Sequence, residues 1–107
     1  MVIKIPGKSI EIRECNTFKS RYKSLKFYLY PLDFCLYFPK RWFLDTYFFC
    51  QNVDAIFTDQ DDKILYMHEN IRSEKRRFHF KAKKLYICPL GTCKYFEIGD
   101  TLRIKEK

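Results

Sequence analysis

Charge is where this sequence first offers chemistry. Lys and Arg outnumber Asp and Glu by 21 to 13, a net charge of +8 over 107 residues. The excess gathers in Lys19-Arg21-Lys23-Lys26 and again between Arg72 and Lys84. If Arg77 to Lys83 runs extended, successive side chains alternate between faces. Arg77, His79, Lys81 and Lys83 then share one side, and Phe78, Phe80 and Ala82 back them on the other. Such a stripe suits a phosphate backbone, with aromatic rings nearby as stacking surfaces. The favoured reading is a charged strand edge that discourages aggregation, since no recognised nucleic-acid motif accompanies the charge.

The other reactive side chains argue for structure more than for catalysis. Asp59, Asp61 and Asp62 share one polar stretch, but a calcium loop starting at Asp59 needs Gly at its sixth position and Glu at its twelfth. Those places hold Ile64 and Asn70, so the cluster reads as a hairpin tip in which Asp bonds nearby backbone amides. Asp54 differs, since it interrupts an apolar run and needs partners if buried. His68 and His79 are the two histidines; neither has a carboxylate or nucleophile at a catalytic spacing, and the basic neighbours of His79 oppose its protonation. The five cysteines, Cys15, Cys35, Cys50, Cys88 and Cys93, include no Cys-x-x-Cys and read as reduced thiols without metal. Trp42 reads as an aromatic that anchors its loop to the core. No cofactor site is expected.

Short extended elements must position these residues. Val2–Ile5 and Ser9–Arg13 alternate around Pro6-Gly7-Lys8, an opening hairpin. A helical turn is expected over Lys19–Ser24, followed by aromatic-rich extended segments at Leu25–Tyr30 and Phe34–Phe38. Residues 41–46 read as a loop and 47–50 as extended. Val53–Thr58 and Ile64–Glu69 form the clearest hairpin, around Asp59 to Lys63. Phe78–Cys88 is extended with a break near Lys83-Lys84, Thr92–Phe96 forms one helical turn, and Thr101–Lys105 closes the chain. The sum is a single mainly β domain over 1–107, a compact antiparallel β-barrel or sandwich with one or two short helical turns. Every apolar stretch is too short for a membrane span.

The punctuation also resembles a family. Phe38-Pro39-Lys40, Thr46 before Tyr47-Phe48, Val53 to Asp59, Lys63-Ile64-Leu65, Pro89-Leu90-Gly91-Thr92 and Ile98-Gly99-Asp100 follow in the order of the small bacterial and archaeal proteins called domain of unknown function 192. The resemblance places Asp54, and Asp54 alone, where the family carries an Asp. Arg21 is followed by Ser24-Leu25-Lys26 rather than the family's Gly-Leu-Met, and Ile87 replaces a common acidic residue. Many relatives carry export or lipid-anchor leaders. Met1-Val2-Ile3-Lys4-Ile5-Pro6 is not of that kind, so a cytoplasmic location is expected. The leading functional expectation is a non-enzymatic binding domain whose basic face meets an acidic protein partner. A nucleic-acid accessory protein comes second, and a small-ligand-binding protein or enzyme with a pocket near Arg21, Thr46 and Asp54 third.

Overall fold

The computed structural model describes residues 2–14, 33–45 and 51–105. The expectations for Lys19–Ser24, Leu25–Tyr30 and 47–50 lie outside them, as do Cys15, Arg21, Thr46 and Cys50.

Local turn chemistry sets the first two strands. Pro6-Gly7 folds β1 (Val2–Ile5) back on β2 (Lys8–Glu14), with Ile5 opposite Lys8 and Gly7 at φ 89. Pro fixes the first turn position, and the positive φ of the second favours glycine. β3 (Phe34–Pro39) then lies parallel to β2, with Ile12 opposite Cys35. Parallel neighbours need a crossover of roughly a dozen residues or more, and residues 15–33 supply the length. The expected antiparallel order yields at this one described pair.

The hairpin of β5 (Val53–Thr58) and β6 (Ile64–Ile71) forms around the acidic tip as expected. Asp59 Oδ1 accepts the amides of Asp61 and Lys63 at 2.9 and 3.0 Å. The aspartates there are turn formers. β8 (Lys84–Cys88) runs antiparallel to both β3 and β5. A 3-10 turn (Thr92–Tyr95) follows, and β9 (Ile104–Lys105) pairs with β1.

These strands make one sheet in the order β6-β5-β8-β3-β2-β1-β9. It is mainly β and curls into a half-barrel, beside which a separate two-stranded sheet forms. The chain leading into β9 reaches back to the other edge: Ile64 N–H donates to Asp100 O at 2.7 Å, Leu102 N–H donates to Asp62 O at 2.9 Å, and Lys63 bridges Thr101. Thr101 is therefore an isolated bridge, and only Ile104–Lys105 of the expected last strand joins the ladder.

Both faces of the central strands are covered, which explains their nearly continuous apolar runs. Phe34, Leu36, Phe38, Val53, Ala55, Phe57, Leu85 and Ile87 pack on one face with Leu44 and Ala82. The alternating Cys35, Ile56, Tyr86 and Cys88 face the other way, against Ile3, Ile10, Cys93 and Leu102. Each buried Val, Leu, Ile or Phe side chain among them contributes about 1.5–3 kcal/mol.

Two expectations are corrected beside this core. Within residues 41–46, Phe43–Asp45 is a strand, β4, paired antiparallel with β7 (Arg76–Phe78). Burial of Leu44 supplies the reason. The run from Phe78 to Cys88 breaks earlier than Lys83-Lys84, because Ala82 N–H donates to His79 O at 2.9 Å and closes a turn.

Candidate functional site

That turn decides the fate of the basic stripe. The strand stops at Phe78, His79 N–H donates to Trp42 O at 2.8 Å, and the chain bends before Lys84. The four residues therefore do not share one strand face. Arg77 and His79 are half-buried and turned toward β6, while Lys81 and Lys83 are exposed. The apolar backing is inverted as well: Phe78 and Phe80 are 51 % and 77 % exposed, and only Ala82 of the three is buried. The inner side of this segment is taken by His79, whose ring stacks on Tyr66 with centroids 3.8 Å apart.

The displaced phenylalanines gather around Trp42, which is 37 % exposed and so is not the expected core anchor. Its ring lies 4.6 Å from Phe80, 5.1 Å from Phe43 and 6.0 Å from Phe78. Buried Arg41 supports this platform from below. Its guanidinium sits 4.3 Å over Phe43 and 5.0 Å over Phe38, and Nε donates to Phe43 O at 3.1 Å. Lys40, in the left-handed region at φ 59, turns the chain out of β3 toward Trp42. Beside Trp42 and Phe80 runs an open groove of about 530 Å³, with Tyr37, Pro39 and Ala82 also lining it and Lys40, Lys83, Lys84 and Gln60 at its polar positions.

One groove lysine is held by an acid. Lys84 Nζ lies 3.2 Å from Asp62 Oδ1, which also accepts the Tyr86 hydroxyl at 2.6 Å. Burial lowers the Lys84 pKa, but the hydrogen bond and charge of Asp62 outweigh it and leave the ammonium raised. Burial, then Asp62, pushes the Tyr86 phenol up, so it remains a donor.

Below the platform, His68 Nε2 and His79 Nε2 approach to 2.7 Å. Both imidazoles titrate below their ordinary value. Burial is the main cause, with Arg77 nearby, and His79 adds to the effect on His68. Among the described residues no group of three His, Cys, Asp or Glu side chains is placed to hold a metal ion.

Asp54 stands apart, on the sheet face that carries Cys93. It is 1 % exposed, and its two oxygens accept the amides of Asn70 and Cys93, both at 2.9 Å. The reason lies in the ladder: Val53 pairs with Ile71 but Ala55 with His68, so β6 bulges opposite Asp54. Asn70, at φ 53, is in the bulge, and such a residue loses its ladder partner. The carboxylate replaces that partner and ties the bulge to the 3-10 turn. Arg21 and Thr46, the other two residues of the expected pocket, lie outside the described residues.

The aromatic platform and the histidine pair are built from residues that only the tertiary fold brings together. Trp42 and Phe80 are far apart along the chain, and no local pattern signals that they meet.

No family model and no curated protein sequence matches the chain. Two crystal structures share its fold. A protein of unknown function from Novosphingobium aromaticivorans DSM 12444 has a TM-score of 0.77 at 14 % identity, over 96 % of this chain and 84 % of its own. A candidate transcription regulator from Sinorhizobium meliloti 1021 has a TM-score of 0.75 at 17 % identity, over 95 % of this chain and 88 % of its own. The chain is thus a small β-rich domain of a fold also used by those proteins. No helix of the described residues is long and apolar enough to cross a membrane.

Proposed function

We propose that this domain binds single-stranded nucleic acid on the Trp42-Phe78-Phe80 face, with Lys40, Lys81 and Lys83 on the phosphates. The observation that carries the reading is three large rings left in solvent beside a basic groove. Hiding each ring would contribute about 1.5–3 kcal/mol to folding, so their exposure calls for another use. Unpaired bases offer π-faces to such rings, whereas a duplex hides them. An acidic protein would suit the charge but gives the rings no comparable role. The likeness to a candidate transcription regulator is in keeping with a nucleic-acid partner. Membership of domain of unknown function 192 and a cytoplasmic location belong to the same proposal, the first resting on the Phe38-Pro39-Lys40 to Ile98-Gly99-Asp100 punctuation.

Trp42 is the sole tryptophan, so its fluorescence reports the site directly. A labelled oligo-dT or oligo-U should quench it and bind with a log-log salt slope near −2, roughly 0.7 for each of three lysines. Between about 50 and 200 mM salt, affinity should fall roughly twentyfold. Trp42→Ala should weaken binding about 5- to 100-fold, the worth of one stacked base. Replacing Lys40, Lys81 and Lys83 by Gln should flatten the salt slope. Absence of oligonucleotide binding at about 50 mM salt sinks the reading, as does equal binding by poly-Glu with no dependence on Trp42.

A further inference from the structure

His79 occupies the one position between two platform rings, Phe78 and Phe80. Its backbone is held at both ends, since its N–H donates to Trp42 O and its O accepts Ala82 N–H. Its ring reaches the other way, stacking on Tyr66 and lying edge-on to Phe57 with centroids 4.8 Å apart, and meeting His68 of β6. The sequence separation of His68 and His79 spans the turn between β6 and β7, so their contact also fixes where that turn lets β7 lie.

The contact has a defined proton content. The two ring planes differ by 18° and the centroids stand 4.9 Å apart, with the facing nitrogens at 2.7 Å. Centroids exceed nitrogens by about the combined radii of two imidazoles. The rings therefore meet edge to edge, nearly in line. A nitrogen–nitrogen contact this short needs one proton on the shared axis. With none, two lone pairs oppose each other; with two, N–H meets H–N. The axis is satisfied when both rings are neutral and in opposite tautomers, and again when the pair carries a single positive charge. It is broken only by a second added proton.

The surroundings resist that charge. On β6 the ionisable neighbours of the pair are Tyr66 and Glu69, on β7 Arg77, and across the groove that His68 lines stand Arg72 and Lys75. From β5 only the apolar Phe57 faces it. Burial and the nearby Arg77 charge oppose a doubly protonated pair. With no third ligand among the described residues, a proton suits this axis better than a metal ion.

We infer that His68 and His79 form a one-proton latch that fixes the Phe78–Phe80 segment against β6 and opens when a second proton is added, dismantling the aromatic platform as the pH falls. Its effect on ligand binding rests on the reading given under Proposed function; the latch itself does not.

The test follows Trp42 fluorescence from pH 8 to pH 4.5, with far-UV circular dichroism showing that the sheet persists. Wild type should show a transition below the ordinary histidine value of 6.5. In His68→Gln the side-chain carbonyl accepts from His79 whether that ring is neutral or charged, so the transition should vanish. A flat wild-type trace, or the same transition in His68→Gln, overturns the latch. Should His68→Gln fail to fold, nitrogen-15 NMR of the wild-type imidazoles decides instead: opposite tautomers at pH 8 support the shared proton, and identical tautomers refute it. In the binding arm, oligo-dT affinity should drop about fivefold or more across the transition, the loss of one stacked base. Simple charge gain would raise it. Failure to bind at any pH would sink the nucleic-acid reading while leaving the fluorescence and tautomer results to judge the latch.

Discussion

Replacing Asp54 by Ala should destabilise the fold severely without touching the platform. Two fully engaged amides, of Asn70 and Cys93, lose their acceptor. A buried N–H such as that of Cys93 left without a partner costs about 1–3 kcal/mol, and the part-buried Asn70 amide falls toward the lower end of that range. Removing the carboxylate also relieves its desolvation, which offsets part of the loss, so a net cost of about 2–5 kcal/mol is expected. At roughly 2.1 cal/mol/K per residue, a chain of this length has an unfolding entropy near 0.2 kcal/mol/K. The melting temperature should therefore fall by about 10–25 °C. Asp54→Asn supplies the internal control: it keeps the shape and one acceptor oxygen, but turns an amide NH2 toward the second N–H. Its cost should be about half as large, near 1–3 kcal/mol. Differential scanning calorimetry measures both. Oligonucleotide binding measured well below either midpoint should match wild type, because Asp54 faces the layer of Cys93 and the platform adjoins the layer of Leu44 and Ala82. An unchanged melting temperature accompanied by lost binding would refute the structural role and make Asp54 a ligand contact. Equal costs for Asn and Ala would refute the argument from two separate acceptors.

Tyr86→Phe removes the 2.6 Å bond to Asp62 and should cost about 1.5–3 kcal/mol, the range for a charged acceptor; calorimetry showing no loss would contradict the donor role. Stability should also depend on pH through the histidine pair. Both imidazoles have folded pKa values below 6.5, so as the pH drops past that value the unfolded chain binds protons that the folded chain resists. Stability is then full above about pH 6.5 and declines below it, and urea titrations at pH 7.5 and 5.5 should show a lower midpoint at the acid value. Cys35 and Cys88 lie with sulfurs 3.0 Å apart and, with Cys93, are buried free thiols. Burial, and after it Cys35, pushes the Cys88 thiol well up, and burial followed by Asp54 raises Cys93. Peptide-resolved alkylation at pH 8 should leave Cys35, Cys88 and Cys93 unmodified until the protein is unfolded.

What the sequence discloses here is what short-range physics decides. Pro6-Gly7 and the run Asp59 to Lys63 carry their own turn chemistry, so the β1–β2 and β5–β6 hairpins follow from residues adjacent in the chain. The nearly continuous apolar runs of Phe34–Pro39 and Lys84–Cys88 likewise mark strands with two covered faces. Asp54 is conspicuous as a lone acid in an apolar strand, yet its bulge partner Asn70 and its turn partner Cys93 are set only by strand register. Alternation also fails in a specific way at Arg77 to Lys83. It states which side chains share a side, not which side meets the core. Hydrophobicity alone would bury Phe78 and Phe80, but Tyr66, Phe57 and His68 line the inner side and His79 packs against them. No glycine or proline announces the turn after Phe78; it follows from the tertiary bond of His79 N–H to Trp42 O and the local bond of Ala82 N–H to His79 O. A segment whose apolar residues point outward against their propensity is where packing and binding compete. Here the competition leaves Phe80 the most exposed large hydrophobic side chain among the described residues, at 77 %, next to three lysines. The reversal that defeats a pattern-based reading is thus the same feature that supplies the proposed binding face.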